Sequence, residues 1–269
     1  MDFSIRSPTF LAIVAVLVLV ELGWRRRSGR GYDRTTALTS LGIAAGYAPA
    51  ALLSITLIAA AYGVAARLTP LHLPRREPWV WVVGFLAFEF AYYWFHRLSH
   101  RVRWLWATHS VHHSSEQMTL LSSLRLGWTN LFSGGWLFYV PLVLAGFDPA
   151  LVLTLFGFNL QYQFFLHTEA RLSLGPLEAI LNSPSHHRVH HATEEGLVDR
   201  NFGGVLILYD RLFGSFAPEP AGGGLTYGLR GRDPEANPLR LALREWRLLL
   251  ADLRHAPPRR WLRTAFGTP

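Results

Sequence analysis

Five long apolar runs alternate with short polar segments. They cover residues 8–24, 35–66, 78–94, 128–147 and 149–166. An uninterrupted apolar stretch of about 18 residues or more reads as a candidate membrane helix. The second run is longer than a bilayer core requires, so it is either one long tilted helix or a helix broken near Gly46 and Pro49. Gly42 and Gly46 have the spacing of a helix-contact motif; close packing within the protein is the simpler reading. Only Asp148 and its neighbours separate the last two runs, which implies a tight helical hairpin. The first run carries Arg25, Arg26 and Arg27 after it rather than before it, the reverse of a secretory leader, and reads as a retained anchor. The pattern predicts an all-α integral membrane bundle of about four or five spans with a water-facing helical cap.

Beyond the fifth run lies a polar, His-rich stretch, then residues 199–216 and a Gly/Pro-rich linker over 217–235. Asn237 and Pro238 form an N-cap and first-turn pair. Leu239, Leu243, Trp246, Leu250 and Leu253 then recur at helical spacing among arginines. Such a basic amphipathic helix either lies on a membrane surface or packs on the rest of the chain. Three divisions follow: anchor spans over 1–77, a catalytic unit over 78–216, and a linker with the C-terminal helix over 217–269.

Composition sharpens the class. Of 269 residues, half are hydrophobic and only 16% are charged, against about 25% charged in ordinary soluble domains. There is no Cys, which excludes disulfides, thiolate nucleophiles, iron–sulfur clusters and Cys-based zinc sites. All 26 basic residues are Arg, so a lysine phosphate loop and Schiff-base chemistry are excluded. The formal charge of +8 sits beside apolar spans and near the C-terminus, which suits an anionic membrane surface rather than nucleic acid. Arginines 25, 26, 27, 30 and 34 set the loop after the first span on the cytoplasmic side. Alternation then brings every histidine cluster to that face, although Arg67, Arg75 and Arg76 fall opposite.

Ten of the twelve histidines lie between positions 96 and 191. His96 and His100 form HRLSH; His109, His112 and His113 form HSVHH; His167 stands in QFFLHTE; His186, His187, His190 and His191 form SHHRVHH. Residues three and four apart share a helix face, so each motif is expected to aim its imidazoles at one point. Imidazole suits iron, zinc, copper or nickel. Nine or ten imidazoles are too many for one ion, and two ions with four or five each would use them all. Incidental surface histidines or a pH sensor would not show this matched spacing. His72 and His255 stand alone and read as ordinary polar residues. No HExxH motif is present, and no GxSxG surrounds Ser183 or Ser185. Histidine-held dinuclear iron at a membrane face fits dioxygen activation against an unactivated C–H bond, the substrate arriving from the bilayer. A membrane metal-binding or transport protein is the rival; it would carry ionisable residues along several spans, where only Glu21 and Glu89 occur. An idle scaffold would carry broken motifs.

HRLSH, HSVHH, QFFLHTE and PSHHRVHH, in this order among these spans, resemble the fatty acid hydroxylase/sterol desaturase superfamily. DRNFGGVLILYDRLFGSF over 199–216 is similar to its bacterial sterol-desaturase-like and alkylglycerol-monooxygenase-like members, and the likeness extends over about 85–216. It implies a membrane non-haem enzyme with two iron ions, which hydroxylates or desaturates a lipid with O2, in a bacterial inner membrane. His96, His100, His109, His112, His113, His167, His186, His187, His190 and His191 are then the metal ligands. Some members have a further histidine four residues before the one that His167 matches; Gln163 stands there, leaving His186 or a water to complete the set. Zinc is the alternative metal, often found in purified material. The chain holds no electron-carrier segment of its own, so electrons must come from a separate partner or a diffusible reductant. Glu89, two turns before His96, and Asp199 and Asn201, after the last histidines, are candidates to orient the ligands. Glu116, Glu169, Glu194 and Asp210 are further nearby acids, Asp210-Arg211 reading as a local ion pair or a fold contact rather than a catalytic one. Tyr92, Tyr93, Trp94 and Phe95 read as interface anchors and core packing.

Overall fold

The computed structural model describes residues 8–269; the first seven residues of the expected anchor lie outside it. Among the described residues the chain is all-helical, with two isolated β-bridges and no strand. The principal helices are α1 (Pro8–Arg27), α2 (Arg34–Arg67), α3 (Pro78–Arg101), α4 (Arg103–His113), α7 (Pro149–Leu166), α8 (Pro184–His191) and α10 (Pro238–His255). Shorter pieces are α5 (Asn130–Ser133), α6 (Val140–Leu144), α9 (Leu208–Leu212) and α11 (Trp261–Phe266).

By length and composition, α2 and α7 are long and apolar enough to cross a membrane. The 34 residues of α2 run unbroken through Pro49, which makes it the single long helix of the two alternatives. Its start is fixed by the Asp33 carboxylate, which accepts from the Thr36 amide at 2.5 Å. Gly42 and Gly46 are contact points within the chain: a Cβ would stand 2.4 Å from Pro238 at the first and 2.1 Å from the Trp128 ring at the second.

The expected span over 128–147 is not one helix. It divides into α5, a 3-10 turn over Gly135–Tyr139, and α6. Gly134 adopts a left-handed φ of 76° between the first two pieces, and Pro141 at the head of α6 has no N–H with which to continue the preceding helix. The hairpin with α7 therefore consists of one long helix and a broken apolar arm. Both wrap the principal core, in which Phe88, Tyr92, Tyr139, Val143, Leu151 and Leu155 are buried. Phe88 and Tyr139 stack at 4.8 Å.

Asn237 caps α10 as expected, its side chain accepting from the Arg240 amide at 3.0 Å. The helix packs on the chain through Leu241, Ala242 and Leu249, a different face from the expected stripe, whose Leu239 and Leu250 stay exposed. Leu241 and Ala242 join Ile43 and Val111 in a second core, and the Trp246 indole donates to Thr129 at 2.8 Å. In this way α10 backs α4, and α4 in turn presents its histidines inward.

Candidate metal centre

Three helix ends and one helix meet to make the site. HRLSH closes α3, HSVHH closes α4, His167 caps α7, and α8 is the fourth motif almost entirely. Val102, in extended conformation, lets α3 turn into α4 and brings the first two motifs face to face.

Nine imidazoles fall into two groups. His96, His100, His109, His113 and His190 offer nitrogens within 4.8 Å of one another; so do His112, His167, His187 and His191. The expectation that each motif serves one point is corrected: the second and fourth motifs each straddle both groups. At about 100° per residue, positions 109 and 113 differ by only about 40° around the helix, whereas 112 and 113 differ by about 100°. His109 and His113 therefore share a target that His112 cannot reach. The same rule sends His187 and His191 to one group and His190 to the other. His186 is in neither. Its ring packs edge-on against Phe216 at 5.3 Å, and burial pushes its imidazole down to about 4. His72 and His255 are exposed and remote from the clusters.

The spacing of nitrogens tests whether metal fits. His109 Nε2 lies 3.1 Å from the Nε2 atoms of His96, His100 and His113 alike. In the second group, His167 Nε2 lies 3.2 Å from that of His112 and 3.1 Å from that of His187. One proton on His109 can serve only one of three neighbours. His96 and His167 have committed their ring proton elsewhere, because their Nδ1 atoms donate to the carbonyls of Phe202 and Gln163, both at 2.7 Å. Lone pairs thus face one another, an arrangement that calls for a cation between them. A divalent ion bound at about 2.1 Å sets neighbouring nitrogens about 3.0–3.4 Å apart, between right-angled and tetrahedral geometry. His190 Nε2 and His191 Nε2 are also buried with no hydrogen-bond partner. The donor set fits two metal ions.

Electrostatics agree. Burial, then mutual repulsion within the crowd, holds His109, His113, His187 and His191 well below the ordinary histidine value. His112 and His190 are lowered first by burial as well. Neutral imidazole is the form that binds metal.

Backbone carbonyls, rather than the expected acids, do most of the orienting. His190 Nδ1 donates to the Arg200 carbonyl at 2.9 Å. The carbonyls of residues 200 and 202 both reach imidazoles because Asp199 and Asn201 sit at left-handed φ values of 60° and 55°, a region that Asp and Asn tolerate better than most residues. Asp199 alone of the candidate acids meets a ligand, 3.5 Å from His100 Nδ1. Asn201 touches no imidazole; its amide donates to the carbonyls of His186 and Ala217. Asp210 is a fold contact, but not with Arg211: it accepts from the amides of Phe202 and Gly203 and from Ser215.

Glu89 lies one step further back. One oxygen accepts from the amides of Val205 and Leu206 at 2.8 and 3.0 Å; the other accepts from Asn159 at 2.6 Å. Asn159 accepts from Gln163 at 2.5 Å, and Gln163 accepts from Tyr92 at 2.9 Å. The residue standing in place of a further histidine is thus the hinge of a buried polar chain, while its own carbonyl fixes His167. At Gly204 a Cβ would stand 2.0 Å from Asn159 Nδ2, so the loop can approach this chain only without a side chain.

Sequence reasoning missed the outer braces. Glu21 accepts from Thr168 and from the Leu120 amide, and Arg25, 1% exposed, pairs with Glu169. The end of α1 is thereby fastened beside His167. Arg188, within the fourth motif, forks onto Glu219 at 2.9 and 2.6 Å and donates to the carbonyls of Thr168 and Ala170. The single signal in the sequence was polarity inside otherwise apolar or histidine-rich stretches.

The fold and centre define a helical protein with two all-histidine clusters, each able to hold a metal ion, at the ends of apolar helices. The chain belongs to the fatty acid hydroxylase family, whose model matches residues 81–215. It is 42% identical to the alkylglycerol monooxygenase of Danio rerio over 79% of this chain and 47% of that protein. It is 47% identical to the alkylglycerol monooxygenase of Homo sapiens over 55% of this chain and 33% of that protein. The ornithine lipid hydroxylase OlsE of Rhizobium tropici is 26% identical over 84% of this chain and 71% of its own length. The chain thus spans about half or less of the alkylglycerol monooxygenases it matches. No solved structure matches it.

Proposed function

We propose that the chain is an integral membrane oxidoreductase that uses two iron ions, O2 and external electrons to hydroxylate a lipid. The observation that carries this reading is the pair of neutral, buried, all-imidazole groups whose lone pairs converge. Bound iron supplies dioxygen activation and the one-electron chemistry that an unactivated C–H bond demands.

The chain's own residues hold and prepare those ions. His96, His100, His109, His113 and His190 hold one; His112, His167, His187 and His191 hold the other. The carbonyls of Phe202, Arg200 and Gln163 keep the proton on Nδ1 and leave Nε2 free. The surrounding core excludes bulk water. His186 braces α8 in this account and is not a ligand.

The names of the relatives favour hydroxylation over desaturation and make a glycerol ether lipid the first substrate to test, before a fatty acyl or sterol lipid. We place α1, α3 and the broken arm in the bilayer beside α2 and α7. The arginine-rich turn after α1 puts the metals on the cytoplasmic side of the membrane, a bacterial inner membrane in this reading. The unit over 78–216 is catalytic; the anchor and C-terminal helix support it. A separate electron donor or diffusible reductant completes the cycle. A transport role is disfavoured because Glu89 is fully engaged by three donors.

The test is lipid profiling of cells fed a labelled alkylglycerol, with and without the protein, beside His112→Ala. An oxygenated or cleaved ether product that appears with the wild type alone is expected. An unchanged profile, or one changed equally by the variant, would overturn the oxygenase reading.

A further inference from the structure

Two segments of the cap expose apolar side chains on one surface. Leu172, Leu177 and Ile180 project from the stretch before α8; Leu208, Leu212 and Phe213 project from α9 and its end. Leu177 is 57% exposed and Leu212 69%. The segments are joined: the Ile207 amide donates to the Ile180 carbonyl at 2.9 Å, and Arg211 donates to the Glu178 carbonyl at 3.1 Å. Scattered exposed leucines are ordinary on any protein, but a contiguous apolar patch marks a contact.

The patch continues onto the outward face of α3. The Tyr209 hydroxyl donates to the Leu86 carbonyl at 2.8 Å, and Phe90 packs on the Tyr209 ring at 5.7 Å. Val82, Leu86 and Phe90 on that face are themselves exposed. Guanidinium groups mark the rim: Arg211 lies 3.7 Å over Phe216, and Arg97 lies 5.6 Å over Trp94. An apolar body with cationic heads at its edge is the arrangement of a segment lying in a membrane interface.

We infer that residues 172–180 and 208–213 form a ledge that dips into the bilayer surface, its partner being the lipid itself. A second copy of the chain is the poorer occupant, since like-charged rims would meet. The ledge leads directly into α8, and the loop before α9 carries the Phe202 carbonyl that orients His96. Its depth therefore sets the height of both metal groups against the lipid chains. The inference rests on the proposed function only for which helices lie in the bilayer.

The chain has no cysteine, so Leu177→Cys, Leu212→Cys and the linker control Ala221→Cys can each carry one environment-sensitive fluorophore. The labelled proteins are placed in nanodiscs of phosphatidylcholine and phosphatidylglycerol. Probes at 177 and 212 are expected to be quenched by acyl-chain nitroxide lipids and to be several-fold less accessible to aqueous iodide than the probe at 221. Equal iodide access at all three positions overturns the ledge. Shielding from both quenchers assigns the face to a second copy and overturns it too. Leu172→Cys and Leu208→Cys replace either variant that does not fold. Iron content of the same samples reports separately: a lipid-immersed ledge on a chain that binds no iron would leave this inference standing and sink the oxygenase.

Discussion

Glu89→Ala and Glu89→Gln should differ sharply, and the difference follows from counting donors. The carboxylate accepts three hydrogen bonds, from Val205, Leu206 and Asn159, all in a buried setting. Alanine leaves three buried donors without acceptors. At roughly 1–3 kcal/mol each, that is about 3–9 kcal/mol before relaxation, comparable with the stability of a whole ordinary domain. Glutamine keeps one oxygen for the two backbone amides and offers its own N–H to Asn159. The chain Asn159–Gln163–Tyr92 can then reverse its amides, with the Tyr92 hydroxyl accepting instead of donating, and the count of bonds is preserved. The cost should stay within about 1 kcal/mol. Thermal unfolding in detergent, followed with iron content after a chelator challenge, reads both. Alanine should lower the midpoint strongly and release metal, because the loop carrying the Phe202 carbonyl is freed. Glutamine should behave close to wild type. Equal damage from both would show that negative charge, not acceptor geometry, is what the site needs.

Other consequences are simpler. Asp210→Ala removes the acceptor of the Phe202 and Gly203 amides, and should weaken iron binding about 10- to 100-fold, as loss of an orienting partner usually does; titration of the apo protein with ferrous ion would read it, and unaltered affinity would remove Asp210 from the account. Asp33→Ala deletes the N-cap of α2 and should cost about 1 kcal/mol. Its hydrogen bonds with Thr36 hold the Asp33 carboxyl below its ordinary value, so the stabilisation is full above the unfolded-state value near 3.8 and is lost as pH falls through the lower folded value. Unfolding of wild type and Asp33→Ala across that window should converge in acid; a constant gap would argue against the cap.

Much of this centre was readable before any coordinates. Nine of the ten candidate ligands converge, because helical spacing makes imidazoles near in sequence near in space. What spacing alone left open was the division between ions: the pairs 109/113 and 187/191 each share a helix face, but which imidazoles of the other helices meet each pair depends on how α3, α4, α7 and α8 are placed. His186 followed the motif in sequence yet points at Phe216, one residue around the helix from its neighbours. The broken arm at 128–147 was hidden because hydropathy does not see backbone: Gly134 and Pro141 outweigh an apolar run. Carbonyls carry no sequence signature, so the roles of Phe202, Arg200 and Gln163 could come only from the fold. The left-handed Asp199 and Asn201 were singled out for their side chains, whereas their backbone conformation matters more.

The measurement closest to the centre of the account is iron stoichiometry of the reconstituted protein and of two single variants. Wild type should hold two ions per chain. His109→Ala should retain the ion of the His112, His167, His187 and His191 group, His167→Ala should retain the other, and the double variant should hold none. One ion per chain in the wild type, or none bound in a folded wild-type chain, would contradict the paired-imidazole centre.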